Sequence, residues 1–133
     1  LTLAYNNTDN SLYTILYGEV TNNCTLLRVN PSTGVTTTVS SNLGITAWNF
    51  PSGMDYSNLS GDLILSTYNG SGTNIFNINP TTGSCTLTKN LNGVFLSGIA
   101  VNNNPSSVPL KWYYFMLVFL IPIGIIILRK KLY

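Results

Sequence analysis

Apolar and polar positions alternate along most of residues 1–103, and the alternation breaks at recurring clusters of Asn, Pro, Gly, Ser and Thr. Leu27-Arg28-Val29-Asn30 runs into Pro31-Ser32-Thr33-Gly34, and alternation resumes at Val35, Thr37 and Val39. Phe76-Asn77-Ile78-Asn79 runs into Pro80-Thr81-Thr82-Gly83 and resumes at Cys85 and Leu87. A period of two on both sides of a Pro- and Gly-bearing turn predicts a β-hairpin, here written twice. Pro fixes φ at the first central turn position, and Gly supplies the positive φ that closes the turn.

The copy extends beyond the turn. Leu3-Ala4-Tyr5-Asn6, Met54-Asp55-Tyr56-Ser57 and Ile99-Ala100-Val101-Asn102 read as three versions of one short first strand. Leu12 to Tyr17 and Asp62 to Tyr68 follow as second strands, rich in β-branched and aromatic residues. Third strands are expected at Cys24 to Asn30 and Asn74 to Asn79, and fourth strands at Val35 to Ser40 and Ser84 to Lys89. The expected organisation is repeat 1 over about 3–53, repeat 2 over about 54–98, and a third first-strand at 99–102. Leu96 to Val101 reads either as a strand that closes an exposed sheet edge or as the start of a further repeat.

The run Gly-Met-Asp-Tyr, Gly-Asp-Leu, Ile-Phe-Asn-Ile-Asn-Pro-Thr-Thr-Gly, Leu-Ser-Gly-Ile-Ala-Val between Gly53 and Val101 resembles the blades of surface β-propellers of the NHL, YVTN and quinoprotein-like kind. Four short antiparallel strands per repeat of ~40–50 residues is the size of one such blade. The resemblance covers Leu1 to about Asn103 and implies an all-β fold of about two four-stranded antiparallel blades plus one strand. Rings of this kind need about four to eight blades. Further blades upstream, a ring shared between chains as a homo-oligomer, or an open sandwich of two sheets would each reconcile the count. Upstream blades are the favoured expectation, since the chain starts at Leu1 within a repeat and without Met.

Residues 104–111 have linker composition, polar and with Pro105 and Pro109. Trp112 to Leu128 is uncharged and apolar, and as a helix it would span about 26 Å, the short end of a membrane crossing. A single transmembrane helix is expected there. Pro122 would kink it, which a membrane helix tolerates better than a soluble one. Trp112, Tyr113 and Tyr114 suit one membrane interface, and Arg129, Lys130 and Lys131 mark the other end, the tail 129–133, as cytoplasmic. The lipid bilayer is thus an expected partner, with the N-terminal side extracellular or luminal. Lys130 and Lys131 also stand where a dilysine retrieval signal would, which keeps the endoplasmic reticulum open as a location.

Composition narrows the chemistry. Only 8% of residues are charged and the net charge is +2, with most basic residues near the end, in Lys111, Arg129, Lys130 and Lys131, so no nucleic-acid footprint is present in the sequence before them. Histidine is absent, and the acidic residues are only Asp9, Glu19, Asp55 and Asp62. No carboxylate pair or serine with a base partner is evident, so no catalytic residue, cofactor or metal is expected within these residues. Asp9 and Asp62 are read as Asx-turn residues between first and second strands, and Asp55 as satisfying backbone in a first strand or lining a channel. Cys24 sits at the far end of its strand from the turn, whereas Cys85 lies beside its turn. Stacking the repeats in register would separate them by about 15 Å or more, so no disulfide is expected between them.

Asn6, Asn23, Asn58 and Asn69 open Asn-x-Ser/Thr sequons and are candidate glycan acceptors. Trp48, Asn49 and Phe50 interrupt a loop between repeats and are the candidate ligand-binding residues, for a protein or glycan at the surface. The alternative for Phe50 is packing between blades, because Phe95 or Leu96 stands in the matching place. A repeat scaffold on an anchor, without catalytic groups, points to a membrane-anchored binding or adhesion protein. The other readings are a tethered propeller enzyme whose site lies in upstream blades, and a structural envelope or coat component.

Overall fold

The hairpin turn forms twice for one local reason. Asn30 Oδ1 accepts the backbone N–H groups of Ser32 and Thr33 at 2.9 and 3.2 Å. Asn79 Oδ1 accepts those of Thr81 and Thr82 at 2.9 and 3.0 Å. Gly34 and Gly83 then take φ 71° each, and their N–H groups return to the carbonyls of Asn30 and Asn79. The turn therefore rests on the Asn side chain as much as on Pro and Gly, since an Asx amide oxygen stands in for a backbone carbonyl. In this computed structural model the described residues are 2–18, 23–45 and 50–103.

The chain runs as two consecutive meanders. β1 (Leu3–Asn6), β2 (Ser11–Gly18), β3 (Asn23–Val29) and β4 (Thr36–Ser40) form one antiparallel sheet in chain order. β5 (Phe50–Tyr56), β6 (Leu63–Tyr68), β7 (Gly72–Ile78) and β8 (Cys85–Asn92) form the second in the same way. Registers match: Tyr5 faces Leu12 and Leu12 faces Val29, while Tyr56 faces Leu63 and Leu63 faces Ile78. Even the bulge recurs, between Leu26 and Leu27 in β3 and between Ile75 and Phe76 in β7. The all-β expectation, with two four-stranded antiparallel sheets built on a repeat, holds.

The faces turned to the shared core do not repeat. Each sheet has a front, which carries Leu12, Leu27 and Val29 in the first and Leu63, Phe76 and Ile78 in the second. Each has a back, which carries Tyr13, Ile15 and Leu26 in the first and Ile64, Ser66 and Ile75 in the second. In the first sheet the back is buried, through Ala4, Tyr13, Ile15, Cys24 and Leu26. In the second the front is buried, through Met54, Tyr56, Leu63, Leu65 and Ile78. These residues, with Leu43 and Ile45 from the loop after β4, form one cluster. The back of the first sheet thus packs on the front of the second. Burying each of these larger side chains contributes about 1.5–3 kcal/mol.

Three expectations are corrected here. Residues 99–102 form no strand; Val101 N–H donates instead to Asp55 Oδ2 at 2.8 Å, and Asn103 Nδ2 donates to the Tyr56 carbonyl at 2.8 Å. The segment is tied to β5 by side chains, because an Asp side chain has taken the place of a backbone acceptor. Asp9 and Asp62 do not close Asx turns between first and second strands. Asn6 does, with Thr8 N–H on its Oδ1 at 2.9 Å, and Asp62 and Asp9 occupy different places relative to the strand register.

The stacking that would separate the cysteines is also not the one adopted. A Cβ built on Gly83 runs into Ser40 of β4, so the β7–β8 turn lies across the last strand of the other sheet. Cys24 and Cys85 are free thiols that both pack on the shared core. Burial, and then the neighbouring Cys24, push the Cys85 thiol up to about 11. Among the described residues no helix is long and apolar enough to cross a membrane. The expected span 112–128, its flanks Trp112, Tyr113, Tyr114, Arg129, Lys130 and Lys131, and the linker 104–111 lie outside the described residues.

Candidate functional site: two equivalent grooves

The same strand positions open a groove in each sheet. In the first, Ser11, Arg28, Asn30, Thr33, Val35 and Thr37 line a space of about 390 Å³. In the second, Asp62, Asn77, Asn79, Ser84 and Thr86, joined by Leu87 and Thr88, line about 600 Å³. Ser11 and Asp62 each precede the leucine that pairs across the second and third strands, and Arg28 and Asn77 each precede its partner. Asn30 and Asn79 are the turn Asn residues already described. Equivalent residues therefore line equivalent surfaces.

The floor of each groove is one cross-strand bond between equivalent side chains. Arg28 Nε donates to Ser11 Oγ at 2.8 Å, and Asn77 Nδ2 donates to Asp62 Oδ2 at 3.4 Å. In the first groove Asp9 stands behind the arginine, with its Oδ2 3.7 Å from the guanidinium. The same oxygen accepts the Tyr13 hydroxyl at 2.7 Å, while Asp9 Oδ1 is buried without a hydrogen-bond partner among the described residues. In the second, Thr88 Oγ1 donates to Asn77 Oδ1 at 2.9 Å. Hydroxyls, amides and one guanidinium dominate the walls, which suits a ligand rich in hydroxyl groups.

Tyr13 reports on the first groove. Burial first, then its bond to the Asp9 carboxylate, push its hydroxyl up to about 12. The neutral phenol is the form the fold favours, so this contribution is complete below the ordinary value near 10 and is lost as pH rises towards 12. Stability of the native chain is therefore expected to fall more steeply between about pH 10 and 12 than that of Tyr13→Phe. Urea midpoints across that range check it, and parallel curves for the two proteins would remove the coupling.

The groove residues were not singled out from sequence; the signal that marks them is the recurrence of polar side chains at matched strand positions. Of the residues that were, Trp48 and Asn49 lie outside the described residues, and only the backbone of Phe50 is described, paired with Tyr68 at the start of β5. Phe95 is exposed and meets Tyr68 edge to face at 5.0 Å. Among the sequon residues Asn58 is exposed, Asn23 and Asn69 are half-buried, and Asn6 is 4% exposed with its amide oxygen engaged. A glycan on Asn6 is incompatible with the folded β1. Among the described residues no three His, Cys, Asp or Glu side chains converge as metal ligands.

Comparison of the chain with protein-family models, with curated proteins and with solved structures finds no match.

Proposed function

We propose that the chain is a membrane-anchored surface protein whose propeller-type blades are a binding scaffold for a hydroxyl-rich ligand, a glycan in particular. One observation carries the reading: a polar groove recurs at the same place on both sheets, lined by Ser11, Arg28 and Thr37 in one and Asp62, Asn77 and Thr86 in the other. Repeated weak sites on one scaffold bind a multivalent ligand by effective concentration, which suits a chain built of repeats. The blade reading is supported by four-stranded meanders that stack front to back. The anchor reading is supported by the apolar run 112–128 with its aromatic and basic flanks, and on that reading the sheets lie outside the cell or in a lumen.

The test is binding of the full chain, in detergent, to a panel of neutral and acidic oligosaccharides. Arg28 offers the one cationic donor set in the grooves. Losing a hydrogen bond to a charged group costs about 1.5–3 kcal/mol, so Arg28→Ala is expected to weaken binding about tenfold or more. Binding that Arg28→Ala and Asn77→Ala both leave unchanged, or no binding to any member of the panel, overturns the proposal.

A further inference from the structure

We propose that Cys24 and Cys85 are a redox pair, and that in an oxidising compartment they join as a disulfide that clamps the back of the first sheet to the front of the second. They are the two cysteines of the chain, and both are free thiols here.

The registers set them on facing surfaces. Cys24 pairs with Tyr17 and stands two positions from Leu26 in β3, so it shares the back of the first sheet with Tyr13, Ile15 and Leu26. Cys85 pairs with Ile78, so it shares the front of the second sheet with Leu63 and Ile78. These two faces meet in the shared core, and both cysteines pack on it. Each thiol thus enters the interface from its own sheet.

The approach of Gly83 to Ser40 fixes the end at which they enter it. Ser40 pairs with Leu26, the back-face neighbour of Cys24, and Leu43 beyond Ser40 donates its N–H to the Cys24 carbonyl at 2.9 Å. Cys85 stands two residues from Gly83. Both cysteines therefore flank one inter-sheet contact. Their nearness also shows in the electrostatics, where Cys24 adds to burial in keeping the Cys85 thiol protonated. Bridges between the inner faces of two packed sheets are a general device of β-sandwich domains.

The bridge forms by exchange with a low-molecular-weight disulfide, oxidised glutathione for example. Cys85, the partly exposed thiol, loses its proton, and its thiolate attacks one sulfur of the oxidant and releases one glutathione thiolate. Cys24, which has no exposed surface, then loses its proton and attacks the Cys85 sulfur, releasing the second. The two protons pass to the two leaving thiolates. Two cysteine thiols are oxidised to one disulfide, and one glutathione disulfide is reduced to two thiols. The closed loop runs from β3 to the start of β8, so the bridge restricts the unfolded chain and keeps the second sheet on the first. The inference rests on the sheet packing and not on the ligand proposed for the grooves.

The experiment equilibrates the full chain in detergent with reduced or oxidised glutathione, then unfolds it in urea, alkylates it and reads its mass. The reduced chain is expected to take an alkyl group on both Cys24 and Cys85, and the oxidised chain on neither, with the two cysteine peptides linked within one chain. Thermal unfolding followed by circular dichroism is expected to show the oxidised form melting about 10 °C or more above the reduced form. Oxidant is expected to leave the melting temperature of Cys85→Ala and of Cys24→Ala unchanged. If Cys24→Ala fails to give the native spectrum, Cys85→Ala serves alone. Thiols that stay alkylatable, glutathione left on Cys85, or linkage between chains overturns the proposal. A bridge that leaves the melting temperature unchanged overturns it too, and so does an equal rise in a folded variant.

Discussion

Gly83→Ala is expected to lower stability by about 3 kcal/mol or more, and Gly34→Ala by only about 1–2 kcal/mol. The two glycines share one turn and one φ of 71°, so the conformational cost of a side chain in the left-handed region is the same for both. They differ in what a methyl group meets. Around Gly34 nothing lies within 4 Å, whereas at Gly83 it runs into Ser40 Cβ of the other sheet. A Cβ is fixed to its backbone, so relief requires the sheets to move apart, and overpacking of this kind costs about 1–3 kcal/mol more. For a domain of this size each kcal/mol lowers the melting temperature by about 4–8 °C. Thermal unfolding of the matched pair checks the prediction, and equal shifts would show that the sheets do not meet at Gly83.

The second large effect concerns two leucines in equivalent places. Leu63→Ala is expected to cost about 2–5 kcal/mol, because Leu63 has no exposed surface and lies in the cluster shared by both sheets. Leu12→Ala is expected to cost less than about 1 kcal/mol in the monomer, since Leu12 sits half-buried on the uncovered front of the first sheet. Urea midpoints at low protein concentration separate them. Equal losses would mean that both fronts are covered and would contradict the front-to-back order.

That pair also shows which information was local and which was not. Strands and turns were legible because each depends on neighbours in the chain. The alternation around Val29 and Ile78, and the Asn-Pro-x-Thr-Gly turns, need no distant partner. Leu12 and Leu63 are the same residue in the same local pattern, so nothing near them says that only one front is covered. The separation expected between Cys24 and Cys85 likewise depended on how the two sheets stack, which the local pattern does not contain. Distances counted along strands carry over between sheets only if the sheets stack in register, and the Ser40–Gly83 approach shows that they do not.

Asp9 and Asp62 looked equivalent because both lie between a first and a second strand. The pairing of Ser11 with Asn6 and of Leu63 with Tyr56 puts Asp62 in the place of Ser11 and leaves Asp9 free to hold Tyr13 and Arg28. The grooves follow from that exchange. Recognising them required the register, which couples residues from three strands, and a single strand's alternation does not contain it.

The order of strands within each sheet, with every strand beside its neighbour in sequence, has a consequence for how the chain is made. No strand waits for a partner from the other repeat, and loop-closure entropy is paid in short steps that favour rapid pairing. During synthesis the first sheet can complete its ladder before β5 emerges. The emerging second sheet then meets a finished back bearing Tyr13, Ile15 and Leu26 on which to settle. Until it does, that apolar back stays open to water, so the interval between the two repeats is a moment at which the nascent chain is open to aggregation.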